Sequence, residues 1–308
     1  MKTYGLIGYP VKHSLSALMH NAAFKELKIE AKYRLFEVAP EDLEDFLLRD
    51  KEIRDSKGES FSMRDLSGFN ITIPHKVKAK EILERQFPEI VKYDIGSRVR
   101  ISGAINTVRI AVDKMYYLNT DVIGFRQSLR EDMKFNPKDK NVILVGCGGA
   151  GRAVVAALAW RTSPRKIYIY EPNQDAFRCA KDHFSSFNVT NCIFEFISQE
   201  KQLPDVLASS DLLINASPLG MKEGDPSVIK KELLHKDLSV YDVVYNRETQ
   251  LIKDAKSLGL KNSGGLGMLL YQGVAAFEFW TTSWTKKDAP VEVMRRALEE
   301  GLKECRKK

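Results

Sequence analysis

Four groups of residues in this 308-residue chain are of types and spacings that could do chemistry. The first is Gly146-Cys147-Gly148-Gly149-Ala150-Gly151, which fits a G-x-G-x-x-G pattern. It stands between an apolar, β-branched run at 141–145 and an alanine-rich run at 150–160 that reads as a helix. In that setting Gly146 permits a tight turn and Gly148 lets the backbone approach a pyrophosphate. Gly151 lets helix and strand pack closely, and the N–H groups of the helix N-terminus face the phosphates. Such a turn binds a dinucleotide; the competing explanation is a glycine-rich turn kept for packing alone. Glu171 supports the first. It stands at the end of the next strand, twenty residues past Gly151, where a carboxylate accepts hydrogen bonds from an unphosphorylated ribose. A 2′-phosphate there would meet a like charge, so NAD is expected in preference to NADP. Cys147 occupies a variable position of the turn, and no thiol chemistry is expected of it.

The other three groups are polar. His13-Ser14-Leu15-Ser16 follows a first apolar run. Asn70-Ile71-Thr72-Ile73-Pro74-His75-Lys76 ends a later one, and Asn119-Thr120-Asp121 follows a third. Each falls where a strand gives way to a turn, the place where α/β proteins hold ligands. Short alcohols and amides with one lysine and one carboxylate suit a polyhydroxylated anion, whose hydroxyls they can bond and whose charge they can neutralise. Helix capping by Ser16, Asn119 and Asp121 is the alternative for each stretch taken singly. His13, His20 and His75 match no zinc spacing, so no metal is expected, only structural hydrogen bonds.

The elements that must position these groups follow from periodicity. Strands are expected at 4–8, 33–38, 69–73, 141–145, 166–170, 211–215, 239–244 and near Leu260, and helices at 16–28, 41–48, 75–83, 150–160, 266–280 and 291–305, with a helical stretch that follows the strand at 166–170 and runs to about 183. Residues 104–111 and 115–118 are expected to pair as a hairpin across 112–114. The charged stretch 49–66 reads as a surface loop. Strands alternating with helices from 140 onward indicate a doubly wound parallel sheet.

Composition excludes other classes. There are 48 Lys+Arg against 41 Asp+Glu, a net charge of +7, but the basic residues are scattered except for Lys303, Arg306, Lys307 and Lys308. Nucleic-acid binding is therefore not expected. No apolar run approaches the roughly 18 residues that cross a membrane, so no membrane association is expected. Cys147, Cys179, Cys192 and Cys305 show no C-x-x-C spacing. A reduced, cytoplasmic protein is expected.

Taken together, GLIGYPVKHSLSALMHNAAF, GFNITIPHK, GAINTV, NTDVIGF, GCGGAGRA, INASPLGM, VYDVVYN and GLGMLLYQGVAAFEFW resemble the successive signature segments of the shikimate/quinate dehydrogenase family, in order and across residues 5–280. The resemblance implies an α/β chain of two domains. Residues 1–121, completed by helices in 266–308, would form an α/β substrate domain. Residues 122–265 would form a Rossmann-type doubly wound NAD(P) domain, with the active site in the cleft between them. It implies that Ser14 and Ser16 hold a carboxylate, and that Asn70, Thr72, Asn106 and Gln272 bind ring hydroxyls and carboxylate. Lys76 and Asp121 match the catalytic pair, and Tyr245 a tyrosine beside substrate and nicotinamide. Asn215, Ser217, Met221 and Gly265 join Gly146, Gly148, Gly149, Ala150, Gly151 and Glu171 in the cofactor set. The partner would be a small hydroxy acid, shikimate or quinate, and the protein a monomer or homodimer. Four departures stand out: Ala17 for a usual proline, Val122 for a usual glycine, the long stretch 49–66, and Tyr170-Glu171-Pro172-Asn173 where NADP-using members have Asn-Arg-Thr. A quinate or aminoshikimate dehydrogenase, and a ligand-binding member without turnover, remain as alternatives. A folate-type Rossmann dehydrogenase would explain GCGGAGRA but not the other segments.

Overall fold

The structure, a computed structural model, describes residues 1–86, 95–111, 114–159, 164–187 and 192–305. Trp160 of the expected helix, Val112 and Asp113 of the expected hairpin connection, and Arg306, Lys307 and Lys308 lie outside these. The chain divides into two compact units, Met1–Gly124 with the segment from Leu270 on, and Phe125–Leu269.

The first unit runs β1 (Lys2–Gly8), α1 (Ser16–Glu26), β2 (Ala31–Glu37), α2 (Leu43–Arg49), β3 (Ile53–Arg54), β4 (Ser60–Phe61), β5 (Gly68–Ile71), α3 (Lys76–Gln86), α4 (Ile95–Ser102), β6 (Thr107–Ala111) and β7 (Lys114–Leu118). Its five-stranded sheet has the order β2-β1-β5-β6-β7. β1 is parallel to both β2 and β5, whereas β5–β6 and β6–β7 are antiparallel. Both faces of β1 are covered, which explains why it reads as an unbroken apolar run. Ile7 packs in a cluster with Phe46 of α2 and Ile82 of α3. Tyr4 stacks instead on Phe24 of α1 and on Trp280.

The chain passes on through α5 (Thr120–Glu131) to β8 (Asn141–Val145), α6 (Gly149–Ala159), β9 (Lys166–Tyr170), α7 (Gln174–Ser185), β10 (Ile193–Ile197), α8 (Leu203–Ala208), β11 (Leu212–Asn215), β12 (Ser239–Asp242), α9 (Gln250–Ser257) and β13 (Asn262–Ser263). The sheet order is β10-β9-β8-β11-β12-β13, and every pair is parallel. This is the Rossmann-type doubly wound arrangement, with its switch point between β8 and β11. Two helices, α10 (Leu266–Thr285) and α11 (Val291–Cys305), end the described chain.

Residues 49–66 are not the surface loop expected from their charge. β3 and β4 pair there as a short antiparallel ribbon, and Ile53 and Leu66 are buried. The reason is Asp55, only 3% exposed in its side chain, which pairs with buried Arg34 and accepts hydrogen bonds from the N–H groups of Lys57 (2.8 Å) and Glu59 (3.0 Å). The strand expected at 69–73 is Gly68–Ile71; beyond it His75 N–H bonds to Thr72 O in a turn that leaves Ile73 exposed. Periodicity also missed β10, α4, α5, α8 and α9. β10 lies at a sheet edge with all residues but Ile197 at least partly exposed, so its pattern is weak.

Candidate active site

Since β6 is antiparallel to both neighbours, β7 runs in the direction of β5 and β1. The ends of β1, β5 and β7 and the start of β6 therefore share one edge of the first sheet. All three polar stretches leave from that edge. Register brings Asn70 opposite Thr107, and Thr107 opposite Leu118.

One hydrogen-bond network results. Lys76 Nζ, at the start of α3, lies 2.5 Å from Asp121 Oδ2, and the two side chains are only 12% and 7% exposed. Asn106 Nδ2 donates to Asp121 Oδ1 at 2.8 Å. Asn106 Oδ1 accepts from Thr120 N–H (2.7 Å), Thr120 Oγ1 (3.1 Å) and Thr107 Oγ1 (3.0 Å). Asn70 Nδ2 donates to Thr107 Oγ1 (2.9 Å) and to Asn106 O (3.2 Å), while its Oδ1 accepts from Tyr33 OH at 2.7 Å. Gln272, on α10, joins through Thr120 Oγ1 at 3.4 Å. Asn119 caps α5 by accepting Asp121 N–H at 3.1 Å, and donates to Ser102 Oγ and Ala104 O. That cap fixes Asp121 at the helix start. Val122, fully buried, continues the helix, where no glycine is required.

Ser14 Oγ donates to Ser16 Oγ at 3.2 Å and accepts Ser16 N–H at 3.3 Å. No capping bond from Ser16 is made, since it is the first residue of α1 and Leu15 is the cap position. Thr72 anchors the turn after β5 through its backbone. Of the three histidines, His75 bonds to Val38 O at 2.7 Å. His20 corrects the expectation of structural hydrogen bonding: both ring nitrogens are buried without a partner, and the ring stacks on Tyr33. Burial pushes its pKa down to about 3, so it is a neutral packing residue. Among the described residues no group of three or more His, Cys, Asp or Glu could hold a metal ion.

In the second unit the parallel strands bring the ends of β8, β9, β11 and β12 to one edge. Gly146 has φ +89°, and a Cβ there would lie 2.6 Å from Ser217 N; a Cβ on Gly151 would lie 2.2 Å from Gly146 O. Gly148 is different: a Cβ there would meet nothing within 4 Å. Packing accounts for the first and last glycines, and open space is left at the middle one. Gly149 and Ala150 open α6 and offer its first N–H groups. Glu171 Oε2 accepts Cys147 N–H at 2.7 Å and Oε1 accepts Asn173 N–H at 3.0 Å, which holds the carboxylate against the turn. Burial pushes the Cys147 thiol up to about 12, which makes it inert at neutral pH.

Asn215 at the end of β11 accepts Ser217 N–H and Ser217 Oγ (3.0 and 2.7 Å) and donates to Leu219 O (3.1 Å). Met221 is exposed beyond that loop, and its carbonyl accepts from Asn246 Nδ2. Tyr245 follows the end of β12, partly buried. Gly265 is forced by proximity, since a Cβ there would lie 2.0 Å from Val243 O. Tyr33 is not legible as a site residue in the sequence because its partner is remote in it: Tyr33 and Asn70 are 37 residues apart.

A family model described as the shikimate dehydrogenase substrate binding domain matches residues 6–108, and one described as the shikimate 5′-dehydrogenase C-terminal domain matches 265–281. A shikimate dehydrogenase (NADP(+)) from Methanopyrus kandleri is 37% identical over 304 residues, covering 97% of this chain and 95% of its own. A crystal structure of a shikimate dehydrogenase in complex with NADP+ is similar with TM-score 0.77 and 35% identity, over 98% of this chain and 96% of that one. The shikimate 5-dehydrogenase of Listeria monocytogenes in complex with shikimate and NAD follows at TM-score 0.76 and 28% identity, over 97% and 96%.

Proposed function

The chain belongs to the shikimate dehydrogenase family, and on that premise we propose that it interconverts shikimate and 3-dehydroshikimate with a nicotinamide cofactor. The observation that carries the proposal is the sequestered Lys76–Asp121 pair, braced by Asn106, at one sheet edge. The cofactor supplies the hydride acceptor or donor when bound. Lys76 and Asp121 manage the proton. When the ring carbonyl is reduced, negative charge grows on its oxygen; Lys76 neutralises and protonates it, and in the reverse direction the pair takes the hydroxyl proton. Asp121 holds Nζ in place, and Asn119 holds Asp121.

The neighbouring amides have defined free capacity. Asn106 Oδ1 has its two lone pairs taken by the Thr120 N–H and the neighbouring threonine hydroxyls, and one of its two amide hydrogens is committed to Asp121, so one N–H is left for a substrate oxygen. Asn70 has both amide hydrogens committed and one carbonyl lone pair left, so it accepts from a hydroxyl. Ser14 and Ser16 offer hydroxyls to the carboxylate. Replacing both with alanine is expected to raise KM for shikimate about tenfold with kcat little changed, the pattern of lost uniform binding. Steady-state kinetics check this; an unchanged KM would remove the serines from the substrate site.

We further infer a preference for NAD over NADP, although the relatives are named for NADP+. Glu171 supports it, because its carboxylate is fixed against the glycine turn where a ribose 2′-oxygen falls. Pro172 stands where an arginine would pair a phosphate. A tenfold preference needs only about 1.4 kcal/mol of repulsion. Glu171→Ala is expected to narrow the ratio of kcat/KM for the two cofactors at least threefold. Equal or better kcat/KM with NADP in the unaltered protein would overturn the preference.

A further inference from the structure

Asp242 has no place in the proton chemistry, yet it is fully buried at the end of β12, and three donors converge on it. Asn215 Nδ2 donates to Oδ1 at 3.0 Å, Val244 N–H to Oδ1 at 3.0 Å, and Thr249 Oγ1 to Oδ2 at 2.6 Å. Each donor belongs to a different segment. Asn215 carries the loop to Leu219 through its bonds to Ser217 and to Leu219 O. That loop is the one against which Gly146 is packed. Val244 leads into Tyr245, and its carbonyl accepts Gly265 N–H at 3.2 Å. Thr249 caps α9, and its methyl lies against Gly220.

We propose that Asp242 is the positioning residue of the cofactor site, the acceptor from which the Ser217 loop and the Tyr245 turn both hang. It rests on the reading of this unit as the dinucleotide site. Asn215 and Asp242 are register partners on adjacent strands, so the carboxylate spans β11 and β12 at their ends. A buried carboxylate is retained only where donors repay its desolvation. Here burial pushes the carboxyl up to about 6 against the pull of Thr249, Val244 and Asn215. An apolar residue in its place would leave the Val244 N–H and one Asn215 N–H unpaired, and the loop ends would shift to find partners. Asparagine would not: its carbonyl keeps Asn215 and Val244, and its amide donates to the Thr249 oxygen.

The test is binary titration of NAD and of NADP into the protein without substrate, followed by nicotinamide-dependent quenching of tryptophan fluorescence, well below each variant's melting temperature. Asp242→Ala is expected to raise the cofactor Kd at least tenfold, with Asp242→Asn within about threefold of the unaltered protein. Should Asp242→Ala fail to fold, Thr249→Val serves, since it removes the donor to Asp242 and keeps a methyl against Gly220, though it also removes the α9 cap; at least a fivefold rise is expected. A folded Asp242→Ala with unaltered Kd overturns the proposal, as does an unchanged Kd in Thr249→Val when Asp242→Ala cannot be read. An unaltered protein that binds neither cofactor contradicts the functional reading instead.

Discussion

Lys76→Ala is expected to lower kcat for shikimate oxidation by ~10²–10⁴-fold, the usual worth of one positioned proton-transfer group. The argument is geometric. Nζ lies 2.5 Å from Asp121 Oδ2 in a site that leaves both side chains nearly sealed. Low exposure makes the charge of the ammonium count for more at a developing alkoxide than it would in water. Alanine removes proton and charge together and leaves Asp121 buried against a growing negative oxygen. The cofactor Kd should be unchanged, because every residue assigned to the cofactor lies in the other unit. Steady-state kinetics with a circular-dichroism control for folding check this; near-normal kcat would remove Lys76 from the chemistry.

The second large effect concerns stability. Asp55→Ala is expected to cost about 3 kcal/mol, the low end for breaking a buried ion pair, because Arg34 keeps Glu59 as a partner. Arg34 would otherwise be stranded at 8% exposure, and the N–H groups of Lys57 and Glu59 would lose their acceptor. Burial pushes the Asp55 carboxyl up, but Arg34 and those two N–H groups outweigh it and hold it below the usual carboxylate value of 3.8. Its contribution is thus present above about pH 4 and is lost as pH falls through the folded value. Urea unfolding at neutral pH should show a lower midpoint with unchanged slope. A midpoint within error of the unaltered protein would mean that the ribbon at 53–61 contributes little to the fold.

That ribbon also shows where sequence reasoning ran out. Strands such as Asn141–Val145 are buried on both faces, so their apolar runs are legible in isolation, and the glycine turn is legible because its constraints are local. Lys76, Asp121 and Asn70 are legible as residue types at strand ends. What tied them together was not visible: the bonds of Tyr33 to Asn70 and of Asn106 to Asp121 depend on sheet register. The charges of 49–66 hid Asp55, whose partner Arg34 is 21 residues away. His20 looked polar and proved to be a stacked, unpartnered ring, a choice of tertiary packing over hydrogen bonding that spacing does not reveal.

The central claim is turnover of shikimate by the Lys76–Asp121 pair. Its most direct measurement is the absorbance of reduced nicotinamide as purified protein is mixed with shikimate and NAD or NADP, beside Lys76→Ala at equal concentration. The account predicts cofactor reduction by the unaltered protein that requires shikimate, with the variant slower by at least a hundredfold. No shikimate-dependent reduction with either cofactor, by a protein that is folded and binds the cofactor, would contradict it.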